Sequence, residues 1–134
     1  MKRILVAYQI LVGLSDSMTG ALLIFAPVLT LRLMGLHEPA DTLPFLSYVG
    51  AFVVSVGLAC LYGGFLAWKA AIDRLEVVWL LTTITRGLVA AFVTIKIVSG
   101  DLDLGWSTVA VSDGVLAMLQ AVGLARGWLR RVFV

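Results

Sequence analysis

Asp16, Arg86 and Asp113 are charged side chains that sit near the middle of long apolar runs, the first, third and fourth of the chain. Each run is long enough to cross a bilayer, so each charge falls near the membrane midplane. A lone charge there costs at least about 2.5–3.5 kcal/mol, and it persists by pairing or by facing water. A guanidinium carries five donors in a planar fork and can hold one carboxylate with two bonds or bridge two carboxylates. Bridging Asp16 and Asp113 through Arg86 would tie three spans together at one depth. Two acids against one base leave an excess negative charge, which a proton, water or Lys96 would relieve. Two readings stand: a structural ion bridge, or a proton or ion relay that could also anchor a ligand headgroup. A single triad lacks the chain of titratable groups expected of a pump.

The elements that position these charges follow from composition. The 134 residues form one domain by length, with a hydrophobic fraction of 61% and a mean hydropathy of +1.06. Soluble domains hold roughly 45–50% apolar residues. The surplus is gathered in four stretches, 4–26, 44–68, 77–98 and 104–124. Each has about 20 residues or more, enough for a hydrocarbon core roughly 30 Å thick at about 1.5 Å per residue. The expectation is an all-α fold, a single four-span membrane bundle over residues 1–134. Lys2 and Arg3 ahead of the first run, with Thr19-Gly20-Ala21 inside it, imitate a cleaved signal peptide. The apolar run continues through Leu23-Ile24-Phe25, so an uncleaved first helix is expected. Pro27 favours a helix start and Gly35 a helix end. Residues 27–36, with Val28, Leu29, Leu31, Leu33 and Met34 around Thr30 and Arg32, read as a short helix on the outer membrane surface. The inner connection is expected at 69–76 and the second outer one at 98–103.

Charge distribution supplies an orientation. Lys2, Arg3, Lys69, Arg74, Arg126, Arg130 and Arg131 fall on one side of a four-span topology, and only Arg32 and Lys96 lie near the other. The positive-inside rule places both termini and the middle loop in the cytoplasm, with an acidic exterior at Glu38, Asp41, Asp101 and Asp103. The pI near 9.0 is thereby a membrane signature and not one of nucleic-acid binding. Tyr48, Trp68, Trp79, Trp106 and Trp128 lie at predicted span ends, as headgroup anchors would. The motif Arg126-Gly127-Trp128-Leu129-Arg130-Arg131 suits an anionic inner leaflet.

Helical periodicity groups Gln9, Asp16 and Thr19 on span one, Thr82, Thr83 and Arg86 on span three, and Asp113, Ala117 and Gln120 on span four. Gln9, Thr82, Thr83 and Gln120 belong to the cytoplasmic half, which would suit a vestibule opening to the cytoplasm. On span two, Ser47, Ala51, Ser55, Ala59, Gly63 and Ala67 place small residues at every fourth position, a face for close approach to another helix of this chain or of another protein. Leu14-Ser15-Asp16-Ser17 and Val111-Ser112-Asp113-Gly114 echo one another weakly across spans one and four. Cys60 is the sole cysteine, which excludes an intramolecular disulfide and CxxC chemistry and suggests a small packing residue. His37, beside Glu38 and Asp41, is a weak candidate for cofactor ligation, because metal sites assemble three or four groups. No nucleophile–base pair, phosphate loop or HExxH motif is present, so no catalytic residue and no metal site is assigned.

Leu31-Arg32-Leu33-Met34-Gly35-Leu36, followed by Phe45-Leu46-Ser47-Tyr48-Val49-Gly50-Ala51-Phe52 and set among four short spans, resembles the DoxX-like group of small bacterial membrane proteins. Related sequences often carry a basic residue at the start of span two, where Ser47 and its neighbours supply none. The resemblance implies a bacterial inner-membrane protein and a small accessory subunit, since members of the broader group are associated with membrane redox complexes. It transfers no catalytic residue. Two functional expectations result. The first is a non-catalytic accessory or structural subunit of a larger membrane assembly, such as a respiratory or photosynthetic electron-transfer complex, with lipids and other membrane subunits as partners. The second is a small transporter or a lipid- or quinone-binding bundle built on Asp16, Arg86 and Asp113. No intrinsic cofactor is expected; such a bundle leaves room for contact with lipid, quinone or pigment.

Overall fold

The computed structural model describes residues 1–133, and they form an all-α bundle. Helices α1 (Lys2–Phe25), α3 (Leu43–Lys69), α4 (Ile72–Val98) and α5 (Ser107–Ala125) are the long elements. Each lies within a stretch long and apolar enough to cross a membrane, as befits a multi-pass membrane protein. Two short helices flank them, α2 (Pro27–Leu33) and α6 (Trp128–Phe133). The long helices alternate in direction. The chain termini, the α3–α4 turn and α6 therefore share one end of the bundle, the terminal end. Helix α2 and the α4–α5 connection share the other, the loop end.

The inner connection is shorter than expected and the outer ones are longer. Helix α3 runs to Lys69 and α4 begins at Ile72, so the inner loop anticipated at 69–76 shrinks to Ala70 and Ala71. Asp73, Arg74 and Glu76 are compatible with helix and lie in the first turns of α4, where an acid complements the positive end of the dipole. Ala70 adopts a left-handed conformation, φ 56°. The Ala71 amide then donates to Leu66 O at 2.9 Å and the Ala70 amide to Ala67 O at 3.2 Å, which satisfies two terminal carbonyls. Helix α2 ends at Leu33, short of the anticipated 36, because Gly35 (φ 73°) turns the chain. The Leu36 amide donates to Leu31 O at 2.8 Å, and the two leucines pack on Leu46 in a small buried cluster. The two segments that carry the DoxX-like resemblance thus meet one another at the loop end. Asp103 begins the α5 approach by accepting from the Gly105 amide at 2.8 Å.

The bundle is made of two helix pairs. In the first, α1 and α3 touch backbone to backbone. A Cβ on Gly13 would stand 2.8 Å from Leu61 N and 2.9 Å from Gly57 O; one on Gly20 would stand 2.6 Å from Val54 N and 2.7 Å from Gly50 O. Hydrogen at these positions is what lets the helices approach. The contact register is Gly13 and Gly20 against Gly50 and Gly57, spaced by seven residues. It is not the anticipated stripe of fours, in which Gly63 and Ala67 are buried, Ser47 and Ala59 half-buried, and Ala51 and Ser55 exposed. Steps of four advance about 40° beyond a full turn and wander around the helix, whereas steps of seven drift only about 20°. Ser47 still joins the pair, its hydroxyl donating to Leu23 O at 3.3 Å.

The second pair, α4 and α5, meets the first chiefly at the terminal end. There Leu5, Leu66, Ala67, Leu75, Trp79 and Leu129 form the main buried cluster. Trp79 is 3% exposed, so it is a core residue and not the headgroup anchor its position suggested. It packs edge-on to Tyr8 with ring centroids 5.9 Å apart, and over Gly123, where a Cβ would be 2.6 Å from the ring. Tyr48, Trp68 and Trp128 are exposed. Arg130 of α6 clasps the start of α4, donating to Glu76 at 2.9 Å through two nitrogens and to Asp73 at 3.3 Å.

Candidate functional site

Arg86 projects from α4 into the seam between the two pairs and is 3% exposed. Its Nη1 donates to Asp113 Oδ1 of α5 at 2.6 Å, and its Nη2 donates to Asp16 Oδ2 of α1. One guanidinium thus bridges two carboxylates from opposite helix pairs. Nη2 also lies 3.9 Å from Cys60 Sγ, which is fully buried beneath it on α3. All four long helices therefore converge at this level. Lys96 does not contribute: its ammonium is 2.8 Å from Asp101 Oδ2 in the α4–α5 connection. The triad keeps one more acid than base.

The two carboxylates differ from the arginine in what they present. Each Asp side chain is 20% exposed against 3% for Arg86. Each spends one oxygen on the guanidinium, leaving Asp16 Oδ1 and Asp113 Oδ2 without a hydrogen bond among the described residues. Both aspartates line a cavity of about 470 Å³ that opens on the loop side of the triad. Its walls are apolar: Val53 and Val56 from α3, Val89 from α4 and Val109 from α5. Met34 and Trp106 close its upper end. The floor is polar. Ser15, Thr19, Thr85 and Ser112 stand beside the three charges on the cavity wall. Three of these hydroxyls donate back into their own helices: Thr19 to Ser15 O at 2.9 Å, Thr85 to Leu81 O at 3.0 Å and Ser112 to Val109 O at 3.2 Å. Their protons are spent, and what remains toward the cavity is acceptor capacity.

The terminal-side half is organised differently. Gln9 and Gln120 are fully buried and Thr82 is 4% exposed. The Thr82 hydroxyl lies 3.3 Å from Gln120 Oε1 and the Thr83 hydroxyl 3.4 Å from it. Gln9 packs against Gly63, which has no side chain to displace it. The Gln9 amide, Gln120 Nε2, Tyr8 Oη, Trp79 Nε1 and Arg86 Nε have no hydrogen-bond partner among the described residues. Gln9, Thr82, Thr83 and Gln120 do gather in the terminal half, but the cavity lies on the other side of the triad. The terminal half is filled by Leu66, Leu75 and Trp79, while the valines of the loop half leave space.

The structure therefore brings Asp16, Arg86 and Asp113 into direct contact and gives them a cavity. His37 is exposed in the turn after α2, and no group of three potential metal-binding side chains exists among the described residues. Thr85 was not singled out by sequence, although its place next to Arg86 was visible. Ser15 and Ser112 stood out only as an internal echo; in space they flank the triad from opposite sides. A second depression of about 490 Å³ lies at the α3–α4 turn beside Arg130 and Asp73, far from these groups. Comparison with protein-family models, curated proteins and solved structures gives no match for the chain.

Proposed function

We propose that this chain is a non-catalytic binding protein of the membrane that holds one amphiphile of the lipid or quinone class in the loop-side cavity. The observation that carries the reading is the cavity itself, about 470 Å³ with valine walls and a floor made by Asp16, Arg86 and Asp113. That volume falls within the roughly 300–1,000 Å³ of small-molecule sites, which are mostly apolar with a few convergent polar groups. The apolar tail would lie along Val53, Val56 and Val109, and the polar head would rest on the triad. The ion bridge serves both roles weighed from sequence: it joins the helix pairs, and its unused carboxylate oxygens form the head subsite. The basic residues gathered at the terminal end support a cytoplasmic placement of the termini, with the cavity then in the outer half of a bacterial inner membrane. Membership of the DoxX-like group remains part of this proposal. An accessory-subunit role in a larger membrane assembly, which that resemblance implies and which also drew on the small soluble fraction, the lack of redox ligands and the small residues of span two, is the second reading; the tightest contacts of span two are taken up by α1 within the chain.

The test is to fill the cavity. Val53→Trp would occupy the tail subsite without touching the triad. Native mass spectrometry of the wild-type protein, released gently from its membrane, should show one retained lipid-like molecule that the variant lacks. Equal retention by a folded Val53→Trp protein would contradict the reading.

A further inference from the structure

We infer that the head subsite selects a cation: the ligand is a lipophilic amine or ammonium, an alkyl chain ending in a positive donor group. The inference rests on the amphiphile reading above and names its chemical class. Three independent features of the floor converge on it.

The first is the charge count. Asp16 and Asp113 face a single guanidinium, and the nearest additional cation along α4, Lys96, is held by Asp101. A low-dielectric cavity magnifies that imbalance, and a buried charge without a partner is costly. A cationic head would bring the site to neutrality. The second is which partner of the bridge is accessible. Arg86 borders the cavity at only 3% exposure with each Nη donating to a carboxylate, while each carboxylate is 20% exposed there and keeps an unused oxygen. The field that a ligand meets at the floor is anionic although an arginine lies behind it. The third is the direction of the hydroxyl groups. Thr19, Thr85 and Ser112 donate to carbonyls of their own helices, so they offer lone pairs and not protons to the cavity. Two donors remain on the wall, the Ser15 hydroxyl and, at the upper end, the unpartnered Trp106 Nε1. Beside the two carboxylates a carboxylate or phosphate head would meet chiefly acceptors, whereas an ammonium finds partners for its protons. Trp106 at the upper end adds an aromatic surface past which a cation can travel.

Probes with one tail and three heads separate the possibilities. Decylammonium, decanol and decyl sulfate would be titrated into the full-length protein in a non-ionic detergent and followed by calorimetry. Decylammonium should saturate at one per chain and bind at least tenfold more tightly than decanol, with no saturable binding of decyl sulfate. Asp16→Asn and Asp113→Asn should each weaken decylammonium about tenfold and leave decanol little changed. Because those variants disturb the ion bridge, Ser112→Ala gives a milder check: it removes one acceptor and should reduce decylammonium affinity severalfold in a normally folded protein. Equal binding of decylammonium and decanol, both abolished by Val53→Trp, would overturn the cation selectivity and leave the cavity reading standing. Preference for decyl sulfate would overturn it outright. Failure of all three probes to saturate would remove both proposals.

Discussion

The two seams of this bundle use opposite means of holding helices together. Between α1 and α3 the backbones meet at Gly13, Gly20, Gly50 and Gly57, with no room for a methyl group. Between that pair and the α4–α5 pair, an apolar cluster closes the terminal end, whereas the loop half is lined by valines that stay apart around a cavity, and the tie at midheight is made by one arginine and two aspartates. Apolar side chains gain little by meeting one another in a membrane, since lipid tails are equally apolar. Close approach of small residues can hold one seam, and a strong polar tie can hold another without closing it. The ion bridge therefore permits a cavity where a glycine seam would abolish one.

The largest predicted effect breaks the polar seam. Arg86→Leu leaves two carboxylates unpaired near the midplane and should destabilise the fold by about 3–5 kcal/mol, read from denaturant-induced unfolding in micelles. Arg86→Lys keeps the charge but loses the fork that reaches both acids, so its cost should be smaller and still clear. If Arg86→Leu unfolds with the wild-type midpoint, the pairs are held by something other than the triad.

The glycine seam is broken by a single methyl. Gly13→Ala or Gly20→Ala should cost about 1–3 kcal/mol, because the obstructing atoms include backbone that cannot give. Gly87 on α4 is the control, for a Cβ there meets nothing within 4 Å. Gly87→Ala should be neutral or stabilising by roughly 0.5–1 kcal/mol through helix propensity alone. Similar outcomes at Gly13 and Gly87 would erase the distinction between the seams.

A smaller gain is expected at the turn between the pairs. Ala70 sits at φ 56°, where an L-residue pays about 1–2 kcal/mol. Ala70→Gly should raise the unfolding midpoint by the equivalent of roughly 0.5–1 kcal/mol, after the extra freedom of glycine in the unfolded chain is subtracted.

The smallest effect lies at the loop end, at Asp101 in the connection between the last two spans. The Lys96 ammonium, helped by the Ser99 hydroxyl, holds the Asp101 carboxyl below the usual carboxylate range. A lowered folded value means that the pair adds stability above the unfolded carboxylate pKa. That contribution fades as pH falls through the folded one. The pair is exposed, so the contribution is slight. NMR titration of Asp101 should show its midpoint rising toward the ordinary value in Lys96→Ala. An unchanged midpoint would detach Lys96 from Asp101 and return it to consideration as a partner of the triad.

The sequence makes some of this legible for definite reasons. Four apolar runs and three charges at matched depth were enough to anticipate the helices and the meeting of Asp16, Arg86 and Asp113, since helix rise turns position into depth. The glycine register was also present in the spacing by seven of Gly13 and Gly20 and of Gly50, Gly57 and Gly64, but a stripe of fours on span two concealed it. Trp79 looked like a headgroup anchor because it lies near a span end; its burial depends on Gly123 of another helix making room. The side on which the cavity opens was not legible. It depends on how valines from α3, α4 and α5 face one another across a seam, and no single helix encodes that volume.

Photolabelling tests the central claim most directly. A decyl amphiphile with a diazirine beside its head, incorporated into nanodiscs with the full-length protein, would be activated and its attachment sites mapped by mass spectrometry. The account predicts labelling concentrated around Asp16, Thr85 and Ser112, suppressed by Val53→Trp and by excess unlabelled amphiphile. Labelling confined to the outward-facing Leu58, Leu80 and Met118, and indifferent to both, would contradict it.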